Sequence, residues 1–306
     1  MKVLVTGGAG FIGTHVVKQL LMEDAEVVVV DNLTTSKGNH LPKGVKLYKE
    51  NIEGKEMKRI FKEEAPDYLI HLAAQVSVRR SMEDPYADCI SNIVGTLNLL
   101  RNCITYKVKK IIFASSAAVY GEPSYLPIDE LHPKKSISYY SLSKNIAEEY
   151  ITLFHKQCGL KYSILRFSNV YGPGQNPTGE SGVISIFSDQ ILKGVSPVVY
   201  GGSQIRDFIY VKDVAKALSA ATGVLENGIY NISSNTETSI KELLTTLIEI
   251  TGINVTPKYL LTRKGDIMKS CLDNRKAIEE LNWKPEYSLI DGLKHTVKAL
   301  KKEQER

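Results

Sequence analysis

The first half of the chain alternates short apolar runs with longer amphipathic stretches. The apolar runs are rich in β-branched residues, and the stretches between them have the length of helices. Runs that stay apolar at successive positions predict strands buried on both faces, which is typical of a parallel sheet covered by helices. We therefore predict an α/β fold with a doubly wound parallel sheet. Its predicted elements are Val3–Thr6, Phe11–Met22, Glu26–Val30, Val45–Lys49, Glu56–Glu64, Asp67–His71, Glu83–Tyr106 and Lys110–Ala114.

The pattern continues through a predicted helix at 140–158 and a predicted strand at 161–167, and then it changes. Residues 169–177 are dense in Gly, Pro and Asn, which favour turns. We predict a first domain at 1–168 and a second, smaller α/β domain at 169–306, some of whose segments return to the first. A ligand cleft is expected between the two. The later predicted elements are Ile184–Lys193, Pro197–Tyr200, Asp207–Val211, Asp213–Leu225, Ile240–Thr251 and Asn274–Leu281.

Composition narrows the function classes. The net charge is only +5, and lysines are interspersed with acids, which argues against nucleic-acid binding but suits a small anionic substrate. No apolar run approaches the roughly 18 residues of a membrane span. The four cysteines are widely separated, and neither they nor the six histidines show ligand spacing. These features predict a cytoplasmic protein with reduced thiols, no metal, no nucleic-acid partner and no membrane association.

A glycine-rich segment follows the first predicted strand. Gly7-Gly8-Ala9-Gly10-Phe11-Ile12-Gly13 fits the dinucleotide fingerprint of a Rossmann domain, in which glycines permit a tight turn and a close approach to pyrophosphate at a helix N-terminus. The second predicted strand ends at Asp31, where a carboxylate can bind the adenosine ribose hydroxyls and repel a 2′-phosphate. Taken alone, Asp31 is better explained as a turn residue. In combination, the segments predict NAD rather than NADP.

A tyrosine and a lysine one helical turn apart, Tyr140 and Lys144, predict a reactive centre. Free tyrosine has a pKa of about 10, and a nearby cation favours the phenolate that could act as a base. The spacing is also common by chance in surface helices. Ser116, at the carboxyl end of a predicted strand, can donate a hydrogen bond to a substrate alcohol or ketone. Ser115 competes for that role, and either serine could be a turn residue.

Together, these motifs resemble those of the extended short-chain dehydrogenase/reductases, and most closely the UDP-glucose 4-epimerase and UDP-N-acetylglucosamine 4-epimerase family. The resemblance covers almost the whole chain and is more specific for the superfamily than for the sugar. It implies an NAD-dependent enzyme, a UDP-sugar substrate and a homodimer formed through helices 83–106 and 140–158. The motifs that carry it are Thr6–Gly13, Asp31–Leu33, His71–Gln75, Asn92–Thr96, Ser115–Gly121 and the pair Tyr140 and Lys144.

The resemblance also assigns site residues. The implied catalytic residues are Ser116, Tyr140 and Lys144. The implied cofactor-binding residues are Gly7, Gly10, Phe11, Ile12, Gly13, Asp31, Asn32, Leu33, Ser36, Asn51, Ile52, Leu72, Ala73, Ala74, Gln75, Asn92, Tyr140 and Lys144. The implied substrate-binding residues are Ser116, Tyr140, Asn169, Val183, Tyr200, Arg206, Arg263, Asp266 and Ser270. Arg206 and Arg263 match two phosphate-binding arginines, which agrees with the bidentate geometry of guanidinium and phosphate.

The implied reaction is epimerisation at C4 of the sugar. Tyr140, as phenolate, would remove the C4 hydroxyl proton while hydride passes to NAD, with Ser116 bonded to the same oxygen. Lys144 would hold the cofactor ribose and lower the Tyr140 pKa. The 4-keto sugar would then turn over and take the hydride back on its other face, so that NAD is regenerated.

Three positions depart from the family pattern. Asn51 stands where an acid is usual, Tyr139 precedes the catalytic tyrosine where proline is common, and Ser270 replaces a bulky tyrosine found in some relatives. The small Ser270 raises the hypothesis that an N-acetylhexosamine is accepted. The alternatives are a UDP-glucuronate epimerase or decarboxylase and a non-catalytic NAD-binding regulator. A 4,6-dehydratase is disfavoured because Ala117-Ala118 follows Ser116 where an Asp-Glu pair is expected.

Overall fold

The computed structural model describes residues 1–36, 38, 40–177, 182–262 and 265–305. We number its elements in chain order. The strands are β1 (Lys2–Thr6), β2 (Glu26–Val30), β3 (Lys46–Tyr48), β4 (Tyr68–His71), β5 (Lys110–Ser116), β6 (Lys161–Phe167), β7 (Asn169–Tyr171), β8 (Val198–Tyr200), β9 (Ile205–Arg206), β10 (Phe208–Tyr210), β11 (Gly228–Ile232), β12 (Thr238–Ser239) and β13 (Lys258–Leu260). The helices are α1 (Phe11–Met22), α2 (Glu56–Glu64), α3 (Val78–Glu83), α4 (Pro85–Cys89), α5 (Gly95–Thr105), α6 (Tyr139–Cys158), α7 (Val183–Leu192), α8 (Val211–Gly223), α9 (Ile240–Thr251), α10 (Arg275–Leu281) and α11 (Leu289–Gln304).

Seven strands form one parallel sheet in the order β11-β6-β5-β4-β1-β2-β3. The strand order reverses between β1 and β4, and in open α/β sheets the crevice at the carboxyl ends of such strands is where ligands bind. The short strands outside this sheet pair as β7 with β10, β9 with β12 and β8 with β13. The doubly wound fold with a smaller α/β part, predicted from the sequence, is confirmed.

Alternate residues of each strand feed two hydrophobic layers. In β1, Val3 and Val5 pack with α1, α8 and α10, whereas Leu4 packs with α2, α5 and α6 on the other face. All three side chains are fully buried, and each such burial contributes about 1.5–3 kcal/mol. A third cluster joins α7, α9 and α11 to β7 and β10. The glycine-rich segment, which follows β1, and the helix α6 therefore adjoin the packed layers of the main sheet.

Several elements differ from the sequence prediction. The strand β11 was not predicted, because Gly228 and Asn231 interrupt its apolar pattern, yet it pairs along its whole length with β6. The helix α11 was also missed, since lysines occupy much of its surface. The single helix predicted at 83–106 is instead divided: Asp84 caps α4, Pro85 begins it, and a π-helical turn at 90–94 precedes α5. Such π turns are frequent at functional sites.

No helix within the described residues is both long enough and apolar enough to cross a membrane.

Residues 209–232 of the second half pack in the same layer as α1 and β1. The chain beyond residue 169 therefore contributes both to the large sheet and to the third cluster.

Candidate active site

The glycine-rich segment forms a tight turn between β1 and α1. Gly7 has φ +71°, and a Cβ there would lie 2.6 Å from the Ala73 nitrogen. A Cβ on Gly13 would lie 2.2 Å from the Gly7 carbonyl oxygen. Gly10 is the N-cap of α1 and carries no capping side chain. The first N–H groups of α1 consequently have no partner inside the helix, and they form the kind of site that binds pyrophosphate.

Asp31 holds this segment in place. It is 9% exposed, and its Oδ2 accepts a hydrogen bond from the Ala9 nitrogen at 3.0 Å while its Oδ1 accepts one from the Leu33 nitrogen at 2.8 Å. A carboxylate has about four acceptor positions, so these two bonds leave capacity for ribose hydroxyls. Asp31 thus has a structural role besides the predicted contact with the cofactor.

The other predicted cofactor-binding residues lie along the same edge of the sheet. Asn32 donates to the Asn51 side chain at 2.9 Å, at the exposed ends of β2 and β3. Ile52 is buried, and a Cβ on Gly95 would lie 2.5 Å from its Cδ1. The Ser36 hydroxyl is buried and has no hydrogen-bond partner among the described residues. An unpartnered hydroxyl of this kind fits a polar oxygen of a bound dinucleotide.

Gln75 and Asn92 form a pair that links the loop after β4 to the π turn. The Gln75 nitrogen donates to Asn92 Oδ1 at 2.8 Å, and Asn92 Nδ2 donates to the Gln75 carbonyl at 3.0 Å and to Ser143 Oγ at 3.0 Å. The segment 72–75 lies directly beside Gly7, with the Leu72 nitrogen bonded to Thr6. The π turn thus brings Asn92 between the glycine turn and α6.

The reactive pair lies in the first two turns of α6. Ser138 caps this helix and forms a reciprocal capping box with Ser141. Lys144 is 4% exposed, its Nζ donates to the Ala114 carbonyl at 2.9 Å, and burial lowers its pKa to about 8. Burial raises the pKa of Tyr140, against the opposing effect of a hydrogen bond from Ser116.

This arrangement corrects one expectation from the resemblance. The pKa of Tyr140 lies above its ordinary value, because burial of the phenol outweighs its hydrogen bond with Ser116 and nearby Asp88 also opposes ionisation. The Lys144 ammonium is directed to the Ala114 carbonyl. A further positive charge beside the phenol is therefore needed to bring Tyr140 into the range of a useful base.

The structure separates Ser116 from its competitor Ser115. Successive residues of a strand face opposite sides, and the Ser115 hydroxyl donates to buried Glu148 at 2.6 Å. Ser116 instead lies close enough to Tyr140 to lower the pKa of its phenol, and it caps the short 3₁₀ turn at 117–120 by accepting from the Ala118 nitrogen at 3.2 Å. Only Ser116 of the two lines the adjoining cavity.

That cavity, of about 190 Å³, brings Ser116 together with the predicted substrate-binding residues Asn169, Arg206 and Ser270. Arg206 lies in it half-buried, and burial lowers its pKa while Asp266 acts in the opposite direction. The Ser270 nitrogen bonds the carbonyl of Ile205, next to Arg206, at 3.1 Å. The lining residues are Ser116, Ala117, Ala118, Phe167, Ser168, Asn169, Arg206, Ile267 and Ser270.

The remaining described residues predicted to bind substrate do not line this cavity. Tyr200 is 37% exposed at the end of β8, and Gln204 links its carbonyl to Asp266 through bonds of 2.8 and 3.4 Å. Val183 begins α7 and is half-buried. Arg263 lies outside the described residues.

Five residues that line the cavity were not predicted as site residues from the sequence, namely Ala117, Ala118, Phe167, Ser168 and Ile267. Each lies within three positions of a predicted residue, Ser116, Asn169 or Ser270, which was the signal available. Among the described residues, no group of three or more acidic, His or Cys side chains could hold a metal ion.

A glycine turn at the switch point of a parallel sheet, with a Tyr-Lys helix and a serine at the same edge, defines a short-chain-dehydrogenase type of dinucleotide-binding protein. Residues 3–233 match the model of the NAD dependent epimerase/dehydratase family. The chain belongs to this family, so the resemblance predicted from the sequence is confirmed.

Solved structures of similar proteins cover nearly the whole chain. The UDP-glucose 4-epimerase of Thermotoga maritima with UDP-glucose is 44% identical, with a TM-score of 0.97 over 99% of this chain and 100% of that one. The Thermus thermophilus UDP-glucose 4-epimerase complex with NAD is 40% identical, with a TM-score of 0.92 over 98% and 99%. The UDP-N-acetylglucosamine 4-epimerase of Methanobrevibacter ruminantium in complex with UDP-N-acetylmuramic acid is 36% identical, with a TM-score of 0.95 over 99% and 98%.

Proposed function

We propose that the protein catalyses the NAD-dependent 4-epimerisation of a UDP-hexose such as UDP-glucose or UDP-galactose. The observation that carries this proposal is the shared cavity, which Ser116 lines together with Asn169 and Arg206. The cavity thus offers a hydroxyl donor, whose neighbour Tyr140 can act as a base, together with a cation and an amide for a diphosphate. Similar proteins have been solved with UDP-glucose and with NAD.

The residues of the chain divide the work by position. The open N-terminus of α1, Asp31 and the Asn92 segment would hold NAD. Bound there, NAD would supply a reversible hydride acceptor for C4, so that the reaction has no net redox change, and a positive charge that favours the Tyr140 phenolate.

Proton movement at C4 falls to Tyr140, which takes the hydroxyl proton and later returns it. Ser116 bonds the same substrate oxygen and stabilises charge that develops there. Lys144, buried against β5, holds the cofactor ribose and contributes positive charge near the phenol. Arg206 and Asn169 retain the UDP group while the free sugar turns between its two faces.

Two of the alternatives fit the site less well. A 4,6-dehydratase needs an acid and base after the hydroxyl residue, and Ala117 and Ala118 line the cavity at those positions. A non-catalytic NAD-binding regulator has no need for Ser116, Tyr140 and Lys144 together.

A product assay across UDP-sugars tests the proposal. We expect purified enzyme to convert UDP-glucose to UDP-galactose by NMR, and to do so without net consumption of NAD. Tyr140→Phe serves as the chemical control and Tyr139→Phe as its matched neighbour, since the Tyr139 side chain is exposed. Tight NAD binding with no epimer from any UDP-hexose would favour the regulator, whereas loss of carbon dioxide from UDP-glucuronate would indicate a decarboxylase.

We also propose that the pocket accepts the N-acetylhexosamine forms. Ser270 lines the cavity with a small side chain, which leaves volume beside the sugar, and one similar protein is a UDP-N-acetylglucosamine 4-epimerase. Ser270→Tyr is expected to reduce turnover of UDP-N-acetylglucosamine much more than that of UDP-glucose. Equal loss of both activities would refute the idea that Ser270 sets the size limit.

A homodimer is the proposed assembly. The helices α4 to α6 carry exposed apolar side chains, Tyr86 and Val94 on one segment and Leu142 and Leu153 on the other, which is typical of an interface. Light scattering is expected to give twice the chain mass, and Leu153→Lys is expected to shift it toward the monomer. A monomeric parent at micromolar concentration would contradict this assembly.

We also propose a cytoplasmic location for the enzyme, which agrees with the finding that all four cysteines are unpaired.

A further inference from the structure

Three consecutive residues at the carboxyl end of β5, Ala114 to Ser116, each interact with a side chain of α6. Lys144 donates to the Ala114 carbonyl at 2.9 Å, and Ser116 is near enough to the Tyr140 phenol to lower its pKa. The residue between them, Ser115, points to the other side of the strand and is 3% exposed. It is bonded to a third residue of α6, so the two proposed catalytic contacts flank a buried one.

That third residue is Glu148, one turn beyond Lys144 on the same helix face. It is 1% exposed and accepts hydrogen bonds from Ser115 Oγ at 2.6 Å and from Arg166 Nε and Nη2 at 2.9 and 2.6 Å. In the sheet, Ser115 of β5 and Arg166 of β6 are register partners. Neighbouring strands therefore present a hydroxyl and a guanidinium to one buried carboxylate.

The pair is ionised, although burial acts against it. Burial raises the pKa of Glu148, but the bonds from Arg166 and Ser115 and the charge of Lys134 hold it below its ordinary value. Lys144 is the other charged group near this carboxylate. A buried ion pair is a costly way to add stability, since apolar side chains of similar volume often stabilise a fold as well or better. The pair contacts Ser115 and Tyr120, on either side of Ser116, which indicates a use for the charge other than stability.

Arg166 extends the contact to the far side of the Ser116 turn. Its Nη1 donates to the Tyr120 hydroxyl at 2.9 Å and to the Glu130 carbonyl at 3.2 Å. Tyr120 ends the 3₁₀ turn that Ser116 begins, and its own hydroxyl donates to Asn231 at 2.7 Å. The ion pair is thus bonded to the chain immediately before Ser116 and to the residue that closes the turn after it.

We propose that the buried Glu148–Arg166 pair is a positioning device that holds Ser116 in line with Tyr140. Glu148 and Arg166 do not line the cavity; they act through Ser115 and Tyr120, which bracket Ser116. This proposal rests on the proposed epimerase function for its kinetic consequences. Its other consequence, the effect of Ser116 on the pKa of Tyr140, can be measured without turnover.

Ser115→Ala is the most selective variant, because it removes the link from Glu148 to β5 while leaving both members of the ion pair. We expect kcat for the UDP-hexose to fall about tenfold, since small displacements of catalytic groups have large effects on rate, while KM stays within about twofold. Ser219→Ala is the matched control: Ser219 is 4% exposed on α8, and it loses one side-chain bond, to Glu23, on the other face of the sheet.

Glu148→Gln tests the charge. We expect kcat to fall about a hundredfold at a temperature where circular dichroism shows the variant folded. Glu149→Gln is the control, because Glu149 is the next residue of α6, is exposed and pairs only with Lys134 among the described residues. Should Glu148→Gln fail to fold, Ser115→Ala still tests the proposal.

The second readout is the titration of Tyr140 itself, followed by NMR of tyrosine labelled at Cζ and assigned by comparison with Tyr140→Phe. The Ser116 bond lowers the pKa of Tyr140, so Ser115→Ala is expected to raise that pKa, and Ser219→Ala to leave it unchanged. An unchanged kcat and an unchanged Tyr140 titration in Ser115→Ala would overturn the positioning role. If the Tyr140 pKa is higher in Ser115→Ala than in the parent, but the parent epimerises no UDP-sugar, the positioning role is sustained and the proposed function is rejected.

Discussion

The two walls of the cleft are built in different ways. The catalytic wall consists of the end of β5 and the first turns of α6, both long elements packed in the main layers of the fold. The substrate wall consists of short strands and turns around Asn169, Arg206 and Ser270, where the ladders contain only two or three residues per strand. The catalytic wall is tied by buried side chains on regular elements, whereas several turns of the substrate wall meet at one buried carboxylate.

That carboxylate belongs to Asp207, which is 1% exposed. It accepts bonds from Ser168, Ser234, Asn235 and Leu272, in three stretches of chain that lie far apart in the sequence. Sites on regular elements hold geometry more tightly, whereas loops vary more easily. The difference indicates that reaction chemistry is fixed by the scaffold, while the choice of substrate depends on connections that can be changed individually.

Removing the base should have the largest effect and should be confined to the catalytic wall. Tyr140→Phe is expected to lower kcat by a factor of about 10² to 10⁴, as for the loss of a general base, with affinity for the UDP-sugar nearly unchanged. Steady-state kinetics and calorimetric binding of UDP-glucose separate the two quantities. A large loss of binding would show that the walls are not independent.

Arg206→Ala should affect the opposite wall. A hydrogen bond to a charged group contributes about 1.5–3 kcal/mol, so we expect KM for the UDP-sugar to rise about 10- to 100-fold with a smaller change in kcat. Arg59→Ala is the control, since Arg59 is an exposed surface residue paired with Glu63. If kcat fell as strongly as KM rose, Arg206 would also act in the transition state.

The pH dependence should report on the catalytic wall alone. The active form pairs a Tyr140 phenolate with a Lys144 ammonium; the pKa of Tyr140 is raised by burial, and that of Lys144 is lowered to about 8 by burial. Below both values, the active fraction rises about tenfold per pH unit, and it levels off where Lys144 begins to lose its proton. We expect kcat to rise up to pH about 8 and then to level.

Lys144→Arg identifies the group responsible for that break. The guanidinium stays protonated throughout this range, so the break should move to higher pH even though kcat is reduced. A break that remains near pH 8 would assign it to a group other than Lys144.

The smallest expected effect comes from substituting Asp207, the buried carboxylate of the substrate wall. Asp207→Asn replaces an acceptor of several hydrogen bonds by an amide, which loosens Ser168 and the chain around Ser234. We expect KM to rise a few fold with little change in kcat, because each lost net hydrogen bond contributes about 1 kcal/mol. Asp189→Asn, at a partly exposed ion pair on α7, is the control. A fall in kcat without a change in KM would mean that Asp207 supports the catalytic wall instead.

The sequence predicted elements best where the signal is local. The glycine turn, the parallel strands of the first half and the helix with Tyr140 and Lys144 follow from periodicity, glycine spacing and residues one turn apart, and the observed bounds of β2, α1 and α2 equal the predicted ones. Prediction failed where the pattern is interrupted, as in β11, or where a local break overrides it, as at Pro85 and the π turn that follows.

The sequence by itself determined the class of site, because a glycine turn, an acid after the next strand and a Tyr-Lys spacing are each encoded within a few residues. Only the tertiary structure decided between Ser115 and Ser116, since their roles depend on the face of β5 that each occupies and on Glu148, 33 positions further along the chain. It also decided that Asp31 bonds Ala9, and that the Arg166 guanidinium meets Glu148. Such contacts arise from strand register and helix packing, which bring together residues that no local pattern relates.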